Sequence, residues 1–196
     1  MRNKVIAVIG LGLIGGSIAR RLKKEGCMVL GVDIDPQSRK QAEDMGAISK
    51  GFVDPKEAIS QADITILSIY PQAALDFVNT YAKHFKKGSI LTDVVGVKTP
   101  LMDLCESIKG DFTYIGGHPM AGKEVCGFAY STEDLFQGAN YIITPSKDAN
   151  DAQVECIAAL ARLLGCGKVV YTTPQKHEKC FLNYQTHSRP TYCNTR

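Results

Sequence analysis

Near the N-terminus an apolar run rich in β-branched residues, Val5-Ile-Ala-Val-Ile9, passes directly into Gly10-Leu11-Gly12-Leu13-Ile14-Gly15. Few junctions restrict a fold so strongly. The run reads as a buried parallel strand. From about Leu13 to Lys24, Ile14, Ile18 and Leu22 recur on one face and Arg20, Arg21, Lys23 and Lys24 on the other, which is the period of an amphipathic helix. The glycines between strand and helix have mechanical reasons. Gly10 permits the tight turn out of the strand, Gly12 lets a pyrophosphate approach the backbone, and Gly15 lets the helix pack close to the sheet. The free N–H groups and positive dipole end of the helix then face the phosphates.

A glycine turn of this kind is weak evidence by itself, but its context is supplied. A second apolar strand, Met28-Val-Leu-Gly-Val-Asp33, ends in an acid 18 residues past Gly15. A carboxylate is needed there to accept hydrogen bonds from an adenosine ribose. Asp33 also favours NAD over NADP. It repels a 2′-phosphate, and Ile34-Asp35-Pro36 offers no Arg to receive one. The expected cofactor contacts are Gly10, Leu11, Gly12, Leu13, Ile14, Gly15, Asp33, Ser68 and Tyr70, and the expected cofactor is NAD.

Further along, strand and helix patterns alternate with short connections. Pro36 opens a helix to about Met45, and a short strand is expected near Ala47–Lys50. A helix starts at Asp54-Pro55, a strand spans Asp63–Ser68, and a helix follows Pro71 to about Phe85. Ser89–Val95 is a strand, Pro100 begins a helix that ends before Gly110, and Thr113–Gly116 is a short strand. Beyond Gly122 the pattern loosens. A strand over Ala139–Thr144, a helix over Asp151–Leu164 and a strand over Lys168–Thr172 follow. Thr173-Pro174 then has the form of a helix start. Such alternation implies an α/β, doubly wound, mostly parallel Rossmann-type sheet. Ligands bind these sheets at the carboxyl ends of the strands.

The length of 196 residues suits one domain, and the net charge of +3 is small and scattered. No basic face with interleaved aromatics is present, so a nucleic-acid partner is not expected. No apolar run reaches the roughly 20 residues needed to span a bilayer. The first strand begins too early for a signal peptide, and a cytoplasmic location is expected. Seven cysteines without Cys-x-x-Cys spacing make neither a disulfide framework nor a zinc site, and no metal is expected.

The second informative stretch is Gly116-Gly117-His118-Pro119-Met120-Ala121-Gly122. Glycines allow close backbone approach, and a histidine exchanges a proton near neutral pH. A lone histidine in a turn is ordinarily structural. At the ligand-binding edge of a sheet, a base that takes the hydroxyl proton of an alcohol while hydride leaves for a nicotinamide is the favoured role. His118 is the expected catalytic residue.

Gly10–Ser17, Asp33, Thr92-Asp93-Val-Val-Gly-Val-Lys98, Gly117-His118-Pro-Met-Ala-Gly-Lys-Glu124 and Leu135-Phe-Gln-Gly-Ala-Asn140 with Thr144-Pro145 together resemble the prephenate/arogenate dehydrogenase family of tyrosine biosynthesis. The likeness covers about residues 3 to 179. It implies a nucleotide-binding domain over 1–172 and, from 173, the start of a helical domain that in the full-length family dimerises and completes the substrate site. It also implies the reaction. His118 takes the proton of the prephenate hydroxyl, hydride passes to NAD, and the ring carboxylate leaves as carbon dioxide while the ring aromatises. The implied partner is a small molecule, prephenate or arogenate. A cofactor-binding module without turnover is the alternative.

The chain departs from the family in two places. Many members have Ser where Gly96 stands. After about residue 180 the family continues with a helix carrying a Leu-Pro-His-like block, whereas this chain reads Cys180-Phe-Leu-Asn-Tyr-Gln-Thr-His-Ser-Arg-Pro190 and loses helical periodicity. Few apolar anchors occur in 180–196. A frayed helix start and a truncated, disordered tail are therefore expected.

Overall fold

The computed structural model describes residues 1–108 and 110–179. The expected disordered tail over 180–196 lies outside the described residues. Five strands alternate with helices through the first half: β1 (Val5–Ile9), α1 (Leu13–Lys24), β2 (Met28–Val32), α2 (Pro36–Asp44), β3 (Lys50–Phe52), α3 (Lys56–Gln61), β4 (Ile64–Leu67), α4 (Pro71–Tyr81) and β5 (Ser89–Asp93). The second half adds α5 (Thr99–Ser107), β6 (Phe112–Pro119), β7 (Asn140–Pro145), α6 (Asp151–Leu163) and β8 (Lys168–Tyr171). Residues 174–179 form a last helix, α7.

All eight strands join one sheet in the order β3-β2-β1-β4-β5-β6-β7-β8. The first six strands are parallel, β7 runs antiparallel to β6, and β8 is parallel to β7. The sheet is thus doubly wound and mostly parallel. The carboxyl ends of β1, β4, β5 and β6 share one edge. β1 lies at the point where the strand order reverses, the place at which such sheets bind ligands.

The helix boundaries follow local chemistry. Asp35 caps α2 by accepting from the Gln37 and Ser38 N–H groups, with Pro36 at the first position. α6 begins in a capping box in which Asn150 and Gln153 exchange side-chain-to-backbone bonds. Gly46 and Gly165 end helices at φ of 64° and 91°. Both sheet faces are covered. Ile18, Leu22, Ile157, Leu160 and Leu164 pack on one side, and Ile59, Phe77, Val78, Leu101 and Met102 on the other. Continuous apolar strands, such as fully buried Ile6, Ala7 and Val8, are what two covered faces require.

Several elements differ from the sequence reading. α4 ends at Tyr81 and passes into a 3-10 turn over Ala82–His84 instead of running to Phe85, and β5 ends at Asp93 instead of Val95. β3 lies at Lys50–Phe52 rather than Ala47–Lys50, because Ala47 and Ile48 are used as core plugs between α2 and the sheet. The strand expected at Thr113–Gly116 runs instead from Phe112 through Pro119, because antiparallel pairing with β7 extends it. The stretch between β6 and β7 is held by tertiary contacts. Phe128 and Phe136 are buried, the Arg20 guanidinium stacks over the Phe128 ring at 4.8 Å, and Arg20 Nε donates to Ser131 Oγ at 2.7 Å. Among the described residues no helix is long and apolar enough to cross a membrane. Cys27, Cys105 and Cys166 are buried free thiols.

Candidate active site

At the β1 edge the site is made of backbone. Gly10 turns the chain at φ 88°, and its N–H donates to the Val32 carbonyl at 2.7 Å. The packing behind this turn leaves no room for side chains. A Cβ on Gly15 would stand 1.8 Å from the Gly10 carbonyl oxygen, and one on Gly10 would stand 2.5 Å from that of Ser68. Gly12 is different, for a Cβ there would meet nothing within 4 Å. Gly12 is the N-cap of α1, and no side chain caps the helix. The space before the helix N-terminus is clear and its first-turn N–H groups face it, which is the cradle a phosphate needs.

Asp33 ties the second strand to this turn. One carboxylate oxygen accepts from the Leu11 N–H at 2.6 Å and the other from the Asp35 N–H at 2.9 Å. A carboxylate has about four acceptor positions, so Asp33 can lock the turn and still receive ribose hydroxyls. No Arg stands in the three residues after Asp33, yet α2 returns Arg39 to it. The Arg39 Nη1 donates to the Asp33 carbonyl at 2.6 Å. The structure places Leu11, Leu13 and Ile14 with their side chains buried or half-buried toward the interior, so the backbone is what they offer to the turn. Ser68 directly follows β4, with a buried hydroxyl that makes no hydrogen bond among the described residues. Tyr70 is the N-cap of α4, and its ring is 72% exposed.

At the β6 edge the site is made of side chains. β5 and β6 pair only from Ser89–Phe112 to Leu91–Tyr114. Beyond that point β6 follows β7, and the gap between the two strand ends is filled by Asp93. One of its carboxylate oxygens accepts from Tyr114 Oη at 2.9 Å and the Gly117 N–H at 3.2 Å. The other accepts from the Val95 N–H at 2.9 Å and from Lys98 Nζ. These four bonds fill the carboxylate's capacity. The Lys98 Nζ, fully buried, also donates to the Gly117 carbonyl. One ion pair therefore grips both sides of the residue before His118. Glycine is required here because the network packs against the strand. A Cβ on Gly116 would lie 2.2 Å from Thr144 Oγ1, and one on Gly117 would lie 2.3 Å from Tyr141 Oη.

His118 is buried at the end of this strand, with its Nδ1 2.9 Å from Nε2 of His177. The rings meet edge to face with centroids 5.0 Å apart. His177 lies in α7, whose N-terminus is formed as expected by Thr173 and Pro174. The His177 N–H donates to the Thr173 carbonyl at 2.9 Å. Where fraying is expected from sequence, α7 is docked. The Glu178 carboxylate accepts from the Lys98 and Thr99 N–H groups, at 3.1 and 2.7 Å, and so caps α5.

Burial, the adjacent Lys98 charge and His177 push the His118 pKa down to about 3. Burial and Lys98 also lower that of His177, but the carboxylates of Asp93 and Glu178 oppose the shift. Burial draws the Lys98 ammonium down against the pull of Asp93, and raises the Tyr114 hydroxyl well above its ordinary value. At neutral pH His118 is a neutral imidazole with a lone pair for a proton, and the burial and Lys98 charge that keep it neutral also make it a weaker base than an exposed histidine.

His118 and Asp33 thus stand at the carboxyl edge where the sequence puts them. The sequence reading gives no role to Lys98, Tyr114, His177 or Glu178. A buried Lys five residues from a strand-end Asp, and a His-Glu pair in the first turn after Thr-Pro, are the local signals, but nothing local says that they meet.

The family model described as prephenate dehydrogenase, nucleotide-binding domain, matches residues 18–171. Prephenate dehydrogenase of Bacillus subtilis is 29% identical over 88% of this chain and 47% of its own length. The chain spans about half the length of that relative. The crystal structure of Aquifex aeolicus prephenate dehydrogenase in complex with hydroxyphenyl propionate and NAD+ superposes with a TM-score of 0.81, at 25% identity, over 96% of this chain and 71% of that one. The arogenate dehydrogenase of Synechocystis gives 0.85, at 26% identity, over 97% and 71%. On these matches, and on the fold they share, the chain belongs to the prephenate dehydrogenase family and carries its nucleotide-binding domain.

Proposed function

We propose that this chain binds NAD at the glycine turn and provides the cofactor and proton-accepting half of a dehydrogenase acting on prephenate. The observation that carries the reading is His118, a neutral, buried imidazole on the same carboxyl edge as a helix N-terminus left clear at Gly12. A nicotinamide dinucleotide bound there supplies the hydride acceptor. Asp33 holds its ribose while the α1 N–H groups hold its pyrophosphate, and the two fix its position along the edge. His118 accepts the substrate hydroxyl proton as hydride departs. Loss of the ring carboxylate as carbon dioxide then sends its bonding pair through the ring to the new carbonyl oxygen, which takes the proton back from the His118 imidazolium to give 4-hydroxyphenylpyruvate. Aromatisation drives that step, so the main task of the protein is orientation.

The likeness to the Synechocystis enzyme supports arogenate as an alternative substrate. The shared fold supports NAD binding by this chain even if helices beyond those described are required for turnover and for a homodimer. A cytoplasmic location fits a biosynthetic role of this kind. The test is fluorescence titration with NADH and NADPH, followed by NADH formation from prephenate and from arogenate. Tighter binding of NADH and a His118→Asn rate loss of about 10²–10⁴-fold with NADH affinity unchanged are expected. Equal affinity for both cofactors removes the role given to Asp33. NADH binding without turnover of either substrate reduces the chain to a cofactor-binding module.

A further inference from the structure

His118 and His177 share one hydrogen bond between ring nitrogens, so one ring donates and the other accepts. Their surroundings decide which. The Lys98 charge disfavours a proton on either ring. Asp93 and Glu178 act on His177, and their negative charge raises its affinity for a proton. The better acceptor is the ring in the more negative potential, which makes His118 Nδ1–H the donor and His177 Nε2 the acceptor. We propose that His177 is the positioning residue that holds His118 in its Nδ1–H tautomer and leaves Nε2 as the proton-accepting nitrogen. An isolated imidazole prefers the opposite tautomer, with the proton on Nε2, and in that form a base facing the substrate would be a donor. Glu178 adds mechanical support. By capping α5 it anchors the helix that carries His177 to the segment that carries Lys98.

The catalytic meaning rests on the dehydrogenase reading, but the tautomer does not, and it is measured without substrate. Ring nitrogen shifts of His118 in ¹⁵N-labelled protein distinguish the two forms. The unmodified chain should show His118 protonated at Nδ1. His177→Gln keeps an acceptor oxygen and should preserve that state, whereas His177→Phe keeps a ring of similar bulk and should turn His118 toward the Nε2–H form. Where NADH formation is measured, Phe should lower kcat by at least about 10²-fold with KM little changed, and Gln should restore most of it. His118 protonated at Nε2 in the unmodified chain overturns the proposal, as does a tautomer unmoved by Phe. Rescue by Phe and not by Gln assigns His177 to packing and overturns it equally. A correct tautomer in a chain that oxidises neither prephenate nor arogenate sinks the functional reading and leaves the pairing intact.

Discussion

The two working ends of this sheet are built in opposite ways. At the end of β1 the site is almost all backbone: a glycine turn, the first turn of a helix and a single carboxylate, contributed by residues within about one βαβ unit. At the end of β6 the site is almost all side chains. Asp93 ends β5 and Lys98 lies just beyond it, Tyr114 and His118 come from β6, and His177 and Glu178 from α7. The first arrangement binds through groups that every residue possesses, so what it demands of the sequence is the absence of side chains. The second needs particular functional groups, and burial makes an unpaired one costly. The first should therefore fail by steric intrusion and the second by loss of a partner.

Steric intrusion carries the largest expected effect. Gly15→Ala puts a methyl group 1.8 Å from a backbone oxygen. It should lower the thermal midpoint sharply and abolish NADH binding together with it. Gly12→Ala is the sharper half of the comparison. Its methyl enters open space, so stability should change by less than about 1 kcal/mol, while NADH affinity falls by about tenfold or more. A Gly12→Ala variant that binds normally would show that phosphates do not use this turn.

Next comes the partner loss. Lys98→Met leaves the Asp93 carboxylate buried with one of its four donors removed and should cost about 3–5 kcal/mol by chemical denaturation. A cost below about 1 kcal/mol would mean that water enters the β5–β6 gap and the side-chain site is not dry.

Smallest over any single pH unit is the pH dependence. His118 titrates near 6.5 when unfolded and is pushed down to about 3 when folded. The unfolded chain therefore takes up the proton first. The stability His118 contributes is complete above about pH 6.5 and is lost as pH falls toward 3, by up to about 1.4 kcal/mol per pH unit. His118→Asn should flatten that slope relative to the unmodified chain. Identical slopes would place His118 in contact with solvent and remove the reason for its neutrality.

Much of the molecule was legible in its sequence. The apolar runs, Pro and Gly punctuation and acid at Asp33 mark the alternating elements because their physics is local: a turn needs a residue that tolerates its backbone, and a two-sided strand needs apolar residues throughout. The sequence also determined that His118 lies at a strand end among glycines. Only the tertiary structure decided what surrounds it. The antiparallel return of β7 draws β6 away from β5, Asp93 and Lys98 close that gap, and α7 swings His177 onto His118 from 59 residues away. Those partnerships are set by long-range packing and by the cost of leaving buried polar groups unpaired, and no window of neighbouring residues records either.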